Sequence, residues 1–141
     1  MNIEYLKQKA KTSRKKIIDL AVETGHSHLG GSLSTVEIMV YLFDKILERK
    51  DKFILSKGHG NLCYYLSLQE KGFSPKLSGH PDIDEKNGIY CTTGSLGHGL
   101  PIGMGMAFAR KFMNQEGRIY VLLGDGECYE GSIWEAAMFA A

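Results

Sequence analysis

Six residues with strand chemistry, Arg118-Ile-Tyr-Val-Leu-Leu123, run without a break into Gly124-Asp-Gly-Glu127. This junction constrains the fold more than any other segment. A short apolar run bounded by glycine reads as a buried strand, and such strands belong to parallel sheets covered by helices. A carboxylate between two glycines at the strand's carboxyl end has two readings. It is either a tight turn with a solvated aspartate or part of a site in which Asp125 holds a divalent cation and Gly124 and Gly126 leave room for a diphosphate.

Elsewhere helical and strand periodicity alternate. Apolar spacing predicts a helix from about Ile3 to Glu23, stopped by Gly25. Lys7, Lys9, Lys11, Arg14, Lys15 and Lys16 form its solvated side rather than a nucleic-acid patch. Gly25-His-Ser-His-Leu-Gly-Gly31 reads as a loop. Ser34 and Glu37 make a capping box for a second, largely buried helix carrying Val36, Met39, Val40, Phe43, Ile46 and Leu47. Phe53-Ile-Leu55 reads as a buried strand feeding the loop Ser56-Lys-Gly-His-Gly60. A third helix runs from about Asn61 to Lys71 and closes at Gly72, and the stretch from Phe73 to Ser95 is dominated by turn residues.

A fourth helix, from about Leu100 to Met113, carries Gly103 and Gly105, each costing about 1 kcal/mol relative to alanine. That cost signals close approach of backbone or ligand. Ser132 to Ala141 begins another helix, with Trp134, Ala137, Met138 and Ala141 on one side. The order helix, strand, helix, strand, helix is that of an α/β fold: a partial doubly wound parallel sheet with helices on both faces. In such sheets ligands sit beyond the strands' carboxyl ends, where the Ser56–Gly60 and Gly124–Glu127 loops lie.

With 141 residues, 43% hydrophobic and 23% charged, and a net charge of +1, the chain fits one soluble domain. The balance of charge excludes a dedicated nucleic-acid binder. No apolar run approaches the roughly 18 residues of a membrane span, and the first residues lack a secretory pattern, so the expected location is cytoplasmic. Cys63, Cys91 and Cys128 suggest neither a disulfide framework nor a thiolate metal site. All five histidines, His26, His28, His59, His80 and His98, fall in glycine- or proline-flanked loops. Such residues suit a site that binds oxygens and moves protons near neutral pH. His26 alone reads as a solvated loop residue, and a zinc site of His26, His28 and a cysteine does not match known ligand spacing.

Gly25-His-Ser-His-Leu-Gly-Gly-Ser-Leu-Ser34, Leu55-Ser-Lys-Gly-His59, Gly79-His-Pro81, Thr93-Gly-Ser-Leu-Gly-His-Gly99 and Leu122-Leu-Gly-Asp-Gly-Glu127, with Glu130-Gly131 and Trp134-Glu-Ala136, resemble in order the N-terminal part of transketolases. The resemblance spans nearly the whole chain. It is nearest to the type split into N- and C-terminal subunits, or to transketolase-like proteins of sugar biosynthesis. It implies a thiamine-diphosphate enzyme that moves a two-carbon ketol unit between sugar phosphates, the cofactor carrying the chemistry and the protein the positioning.

By the same resemblance, Asp125 is a ligand of Mg²⁺, or of Ca²⁺ or Mn²⁺ in its place. Gly124, Gly126, Glu127 and Glu130 belong to the cofactor site, and the backbone of Gly94, Leu96 and Gly97 approaches the cofactor. His28, His59 and His80 line the cofactor and substrate channel, with His98 joining the candidate catalytic set. Glu130 and Glu135 match acidic positions near a subunit interface.

The sequence departs from the family at Leu29, where proline is usual, and at His98, where glutamine is common. The family completes its metal site with an asparagine and a backbone carbonyl further along, beyond Ala141. The resemblance therefore implies that residues 1–141 are an N-terminal part of a diphosphate-binding domain, inactive alone. A second subunit carrying the pyrimidine-binding domain is the expected partner, in a homo- or hetero-oligomer. Two other readings stay open: an inert interaction or regulatory fragment, and a different thiamine-diphosphate enzyme such as a ketose-phosphate synthase or a decarboxylase. His28, His59 and His80 together favour sugar phosphates.

Overall fold

A computed structural model describes residues 2–26 and 28–141; Ser27, inside the first motif, lies outside the described residues. Helix α1 (Ile3–Thr24) starts where Asn2 accepts the Tyr5 N–H at 3.0 Å, and it ends where Gly25 turns left-handed at φ 72°. Both devices satisfy terminal backbone groups. The helix buries Ala10, Ser13, Ile17 and Ala21. Its basic side reaches acids on neighbouring elements, with Lys9 at 2.6 Å from Asp44 and Arg14 at 2.6 Å from Glu37.

The next segment departs from expectation. A short helix, α2 (Leu29–Leu33), forms where a loop was predicted. The capping box does not form: the Ser34 hydroxyl donates back to the Gly31 carbonyl, and Glu37 pairs with Arg14 instead of closing on the helix start. Helix α3 (Val36–Tyr41) therefore begins at Thr35 without a side-chain cap, and it widens into a π-helical turn at Leu42–Ile46. That turn carries Asp44, which accepts from Lys9 and from the Tyr5 hydroxyl.

Strands β1 (Lys52–Leu55) and β2 (Ile119–Leu122) pair in parallel, from Lys52 opposite Ile119 to Leu55 opposite Leu122. The ladder runs past the strand end, where the Ser56 N–H donates to the Leu122 carbonyl at 2.9 Å. At the other end the Asp51 carboxylate accepts the N–H groups of Arg118 and Glu48. Side-chain alternation sends Phe53 and Leu55 into the core built by α1, α3 and α4 (Asn61–Glu70), while Ile54 meets α5 (Gly99–Phe112). Helices thus cover both faces of the two-stranded sheet. Phe43, Phe53 and Tyr64 pack edge to face with centroids 5.2–6.3 Å apart; each buried ring contributes roughly 1.5–3 kcal/mol.

Helix α5 lies close on the sheet because Gly103 has no Cβ, which would come within 2.5 Å of Val121. Gly105, by contrast, faces open space. The long stretch between α4 and α5 is irregular, as predicted, and α4 side chains organise it. Asn61 donates to the carbonyls of Ser78 and Gly79, both at 2.7 Å, and the Tyr64 hydroxyl donates to the Gly88 carbonyl at 2.8 Å. Helix α6 (Gly131–Ala140) packs on α5 through Ile133 and Ala136. Trp134 and Met138, read as an inner side, are instead exposed, and with Phe108 and Phe112 they leave an apolar face uncovered among the described residues.

Candidate cofactor site

The two strands deliver their loops to the same end of the sheet. After β1 the chain turns through a 3₁₀ segment, Gly58–Gly60, with the Gly60 N–H donating to the Lys57 carbonyl at 2.8 Å. After β2 a second 3₁₀ segment, Gly126–Tyr129, follows Asp125. Between them opens a cavity of about 320 Å³, lined by Gly30, Gly31, Ser34, Lys57, His59, Leu96, Gly124, Asp125, Gly126 and Glu127. A larger share of aromatic side chains lines a second cavity, of about 290 Å³, at the opposite end of β1, but it holds none of the predicted site residues.

Lys57 is the residue that motif reading passed over. It is 7% exposed, and its ammonium donates to the Ser34 hydroxyl at 3.1 Å, with no carboxylate in ion-pair range among the described residues. Burial lowers its pKa from the usual lysine value, partly offset by the charges of Asp125, Cys63 and Glu127. A buried cation with a single neutral partner calls for an anion. The available signal was a basic residue directly after a buried strand.

His59 stands beside it. Its ring lies against Gly31, where a Cβ would come within 2.6 Å of Cδ2. The His28 ring centroid is 6.0 Å from that of His59 and 6.3 Å from that of His80, so three of the predicted histidines form one cluster. His80 owes its place to α4, through the Asn61 bonds to Ser78 and Gly79, and to Gly94, whose φ of +149° brings its backbone against the imidazole. Burial, followed by the charges of Lys57, His28 and His80, pushes the His59 pKa below its usual 6.5.

The unfolded chain therefore takes up this proton first as pH falls. The contribution of His59 to stability is complete above pH 6.5 and is lost as pH falls through the folded value. Histidine NMR titration is expected to place His59 below 6.5. In a Lys57→Met variant the midpoint should rise yet stay below 6.5, because burial is the larger cause.

Gly94, Leu96 and Gly97 lie on the loop preceding α5. Leu96 borders the cavity, and Gly97 is left-handed at φ +85° with its carbonyl accepting from Ser132 at 2.7 Å. His98 is exposed at the start of α5, outside the histidine cluster. Glu130 and Glu135 are exposed beside the uncovered apolar face. Asp125 is exposed at the cavity rim and makes no side-chain hydrogen bond among the described residues, whereas Glu127 is 1% exposed. Sequence reading placed Glu127 with the cofactor ligands, but its oxygens accept from Ser56 and from the backbone N–H groups of Gly97 and Gly124.

The family model described as "Transketolase, thiamine diphosphate binding domain" matches residues 6–141. The chain belongs to this transketolase family. One of the two subunits of an apulose-4-phosphate transketolase from Actinobacillus succinogenes is 42% identical over 99% of this chain and 59% of its own length. Its namesake from Phocaeicola vulgatus is 38% identical over 98% of this chain and 56% of its own. A 6-deoxy-6-sulfo-D-fructose transketolase subunit of a Clostridium species is 36% identical over 96% and 57%. The transketolase-type chain spans a little over half the length of these curated relatives, which are named as subunits. Among the described residues no helix is long and apolar enough to cross a membrane.

Proposed function

We propose that this chain supplies the diphosphate- and metal-binding part of a thiamine-diphosphate-dependent enzyme that transfers a two-carbon ketol unit between sugar phosphates. The observation that carries the proposal is the buried Lys57 ammonium beside a glycine-walled cavity rimmed by Asp125. These residues fit a diphosphate, because one fixed cation faces a space whose walls are largely backbone. They also fit Mg²⁺, which takes one or two carboxylates and completes its shell with phosphate oxygens and waters. Asp125 is the one free carboxylate at the rim among the described residues, and no set of three His, Cys, Asp or Glu side chains among them could hold a metal by itself.

Thiamine diphosphate, when bound, supplies the carbon nucleophile and the electron sink for ketol transfer. Lys57 neutralises diphosphate charge, and Gly124 and Gly126 let the anion approach the backbone. His59, neutral at pH 7, can donate to an oxygen from one ring nitrogen and accept at the other. His28 and His80, both exposed beside it, are placed to bind sugar hydroxyl or phosphate oxygens and to move a proton. A second subunit carrying the pyrimidine-binding domain completes the enzyme, and the uncovered α5–α6 face supports that requirement.

Calorimetric titration tests the reading. Thiamine diphosphate should bind with Mg²⁺ and not with a chelator present, and Asp125→Asn should weaken Mg²⁺-dependent binding roughly 10–100-fold. Binding that ignores both the metal and Asp125 would sink it.

A further inference from the structure

Glu127 is the most enclosed charged side chain in the cavity wall, and every hydrogen bond it makes points inward. Oε1 accepts from the Ser56 hydroxyl and from the Gly97 N–H at 2.9 Å, and Oε2 accepts from the Gly124 N–H at 3.0 Å. Ser56 Oγ in turn accepts the Gly99 N–H at 3.1 Å. The proton direction is therefore fixed along the whole chain of bonds: Gly99 gives to Ser56, and Ser56 gives to the carboxylate.

Three segments meet there: the end of β1, the loop preceding α5, and the end of β2. We propose that Glu127 is a positioning residue, whose carboxylate clasps these segments so that Lys57, Leu96 and Asp125 border one cavity. The inference deepens the cofactor reading and rests on it only for what the cavity holds.

All three partners of the carboxylate are donors, and a carboxylate can accept from all of them. A glutamine of the same shape cannot, because its amide NH₂ must face at least one donor. Leaving a buried donor unpaired is costlier than losing a bond in water. The glycines in the clasp leave no slack. A Cβ at Gly97 would come within 2.9 Å of Glu130 Cβ and 2.7 Å of Ser132 Oγ, and one at Gly99 would overlap Ser56. The strand ends cannot slide to compensate, since Ser56 is also fixed to Leu122 through the ladder.

The test uses the full chain as Glu127→Gln and Ser56→Ala, with Ile17→Val, buried in α1, as a destabilised control. Amide hydrogen exchange of Gly97 and Gly124 is followed by NMR, and calorimetry is run with thiamine diphosphate and with inorganic diphosphate, each with Mg²⁺. In Glu127→Gln both amides should exchange at least about tenfold faster together, and affinity for both ligands should fall about tenfold, the scale of a charge-assisted hydrogen bond. Ile17→Val should change neither.

Unchanged affinity in Glu127→Gln, or amides that stay protected, would overturn the proposal. Should Glu127→Gln fail to fold, Ser56→Ala removes one donor and is read the same way, with the Gly97 and Gly124 amides loosening and affinity falling. A wild-type chain that binds neither ligand sinks the cofactor reading instead, and the exchange measurement then decides the clasp alone.

Discussion

Replacing Lys57 with methionine is expected to lower affinity for thiamine diphosphate with Mg²⁺ roughly 10–100-fold while raising the melting temperature. The two effects share one cause. Lys57 is buried with the Ser34 hydroxyl as its sole hydrogen-bond partner among the described residues, so without an anion it is a desolvated charge that burdens the fold. Methionine fills similar space and removes the burden, and the anion then has no fixed cation to meet. Calorimetry reads the first effect and thermal unfolding the second. A variant that melts lower, or binds as tightly as the parent, would remove Lys57 from the site.

Gly58→Ala is expected to lower the melting temperature by several degrees and weaken cofactor binding at least about tenfold. The added Cβ would stand 2.8 Å from the Thr93 carbonyl group and from the Gly94 nitrogen, which are backbone atoms with no rotamer to adopt. Overpacking of this kind costs about 1–3 kcal/mol. Relief requires moving the Thr93–Gly94 backbone, and Gly94 is packed on the His80 ring. Gly105→Ala provides the contrast, since its Cβ meets nothing within 4 Å and a helical alanine should stabilise by about 1 kcal/mol. Equal melting temperatures for the two variants would contradict the close approach at Gly58.

Local chemistry made much of this legible in the sequence. Gly25 and Gly72 end their helices in left-handed turns as read, and the strand before Gly124 pairs in parallel as read. Tertiary competition accounts for the failures. The Ser34–Glu37 capping box satisfies a local rule, but Arg14, 23 residues earlier, makes a two-pronged bond to the same carboxylate. The π-helical turn at Leu42–Ile46 has no local signature, and Asp44 on that turn is paired with Lys9 on α1.

In the site, histidine position was readable because Gly and Pro flank each ring, whereas the state of Lys57 and Glu127 was not. Both stand in motifs as polar letters. Only burial separates a solvated lysine from a cation waiting for an anion, or a ligand carboxylate from one already filled by three donors.

Lys57 and Asp125 follow adjacent strands of one parallel ladder, and neighbouring strands stand about 4.8 Å apart whatever their side chains. The gauge between cation and carboxylate is therefore a property of peptide geometry. Core residues on either face of β1 and β2 can drift in size without resetting it, as long as the pairing from Lys52–Ile119 to Leu55–Leu122 holds. Anion capture is in this sense inherited from the main chain, which leaves the loops bearing His28 and His80 free to diversify toward different sugars.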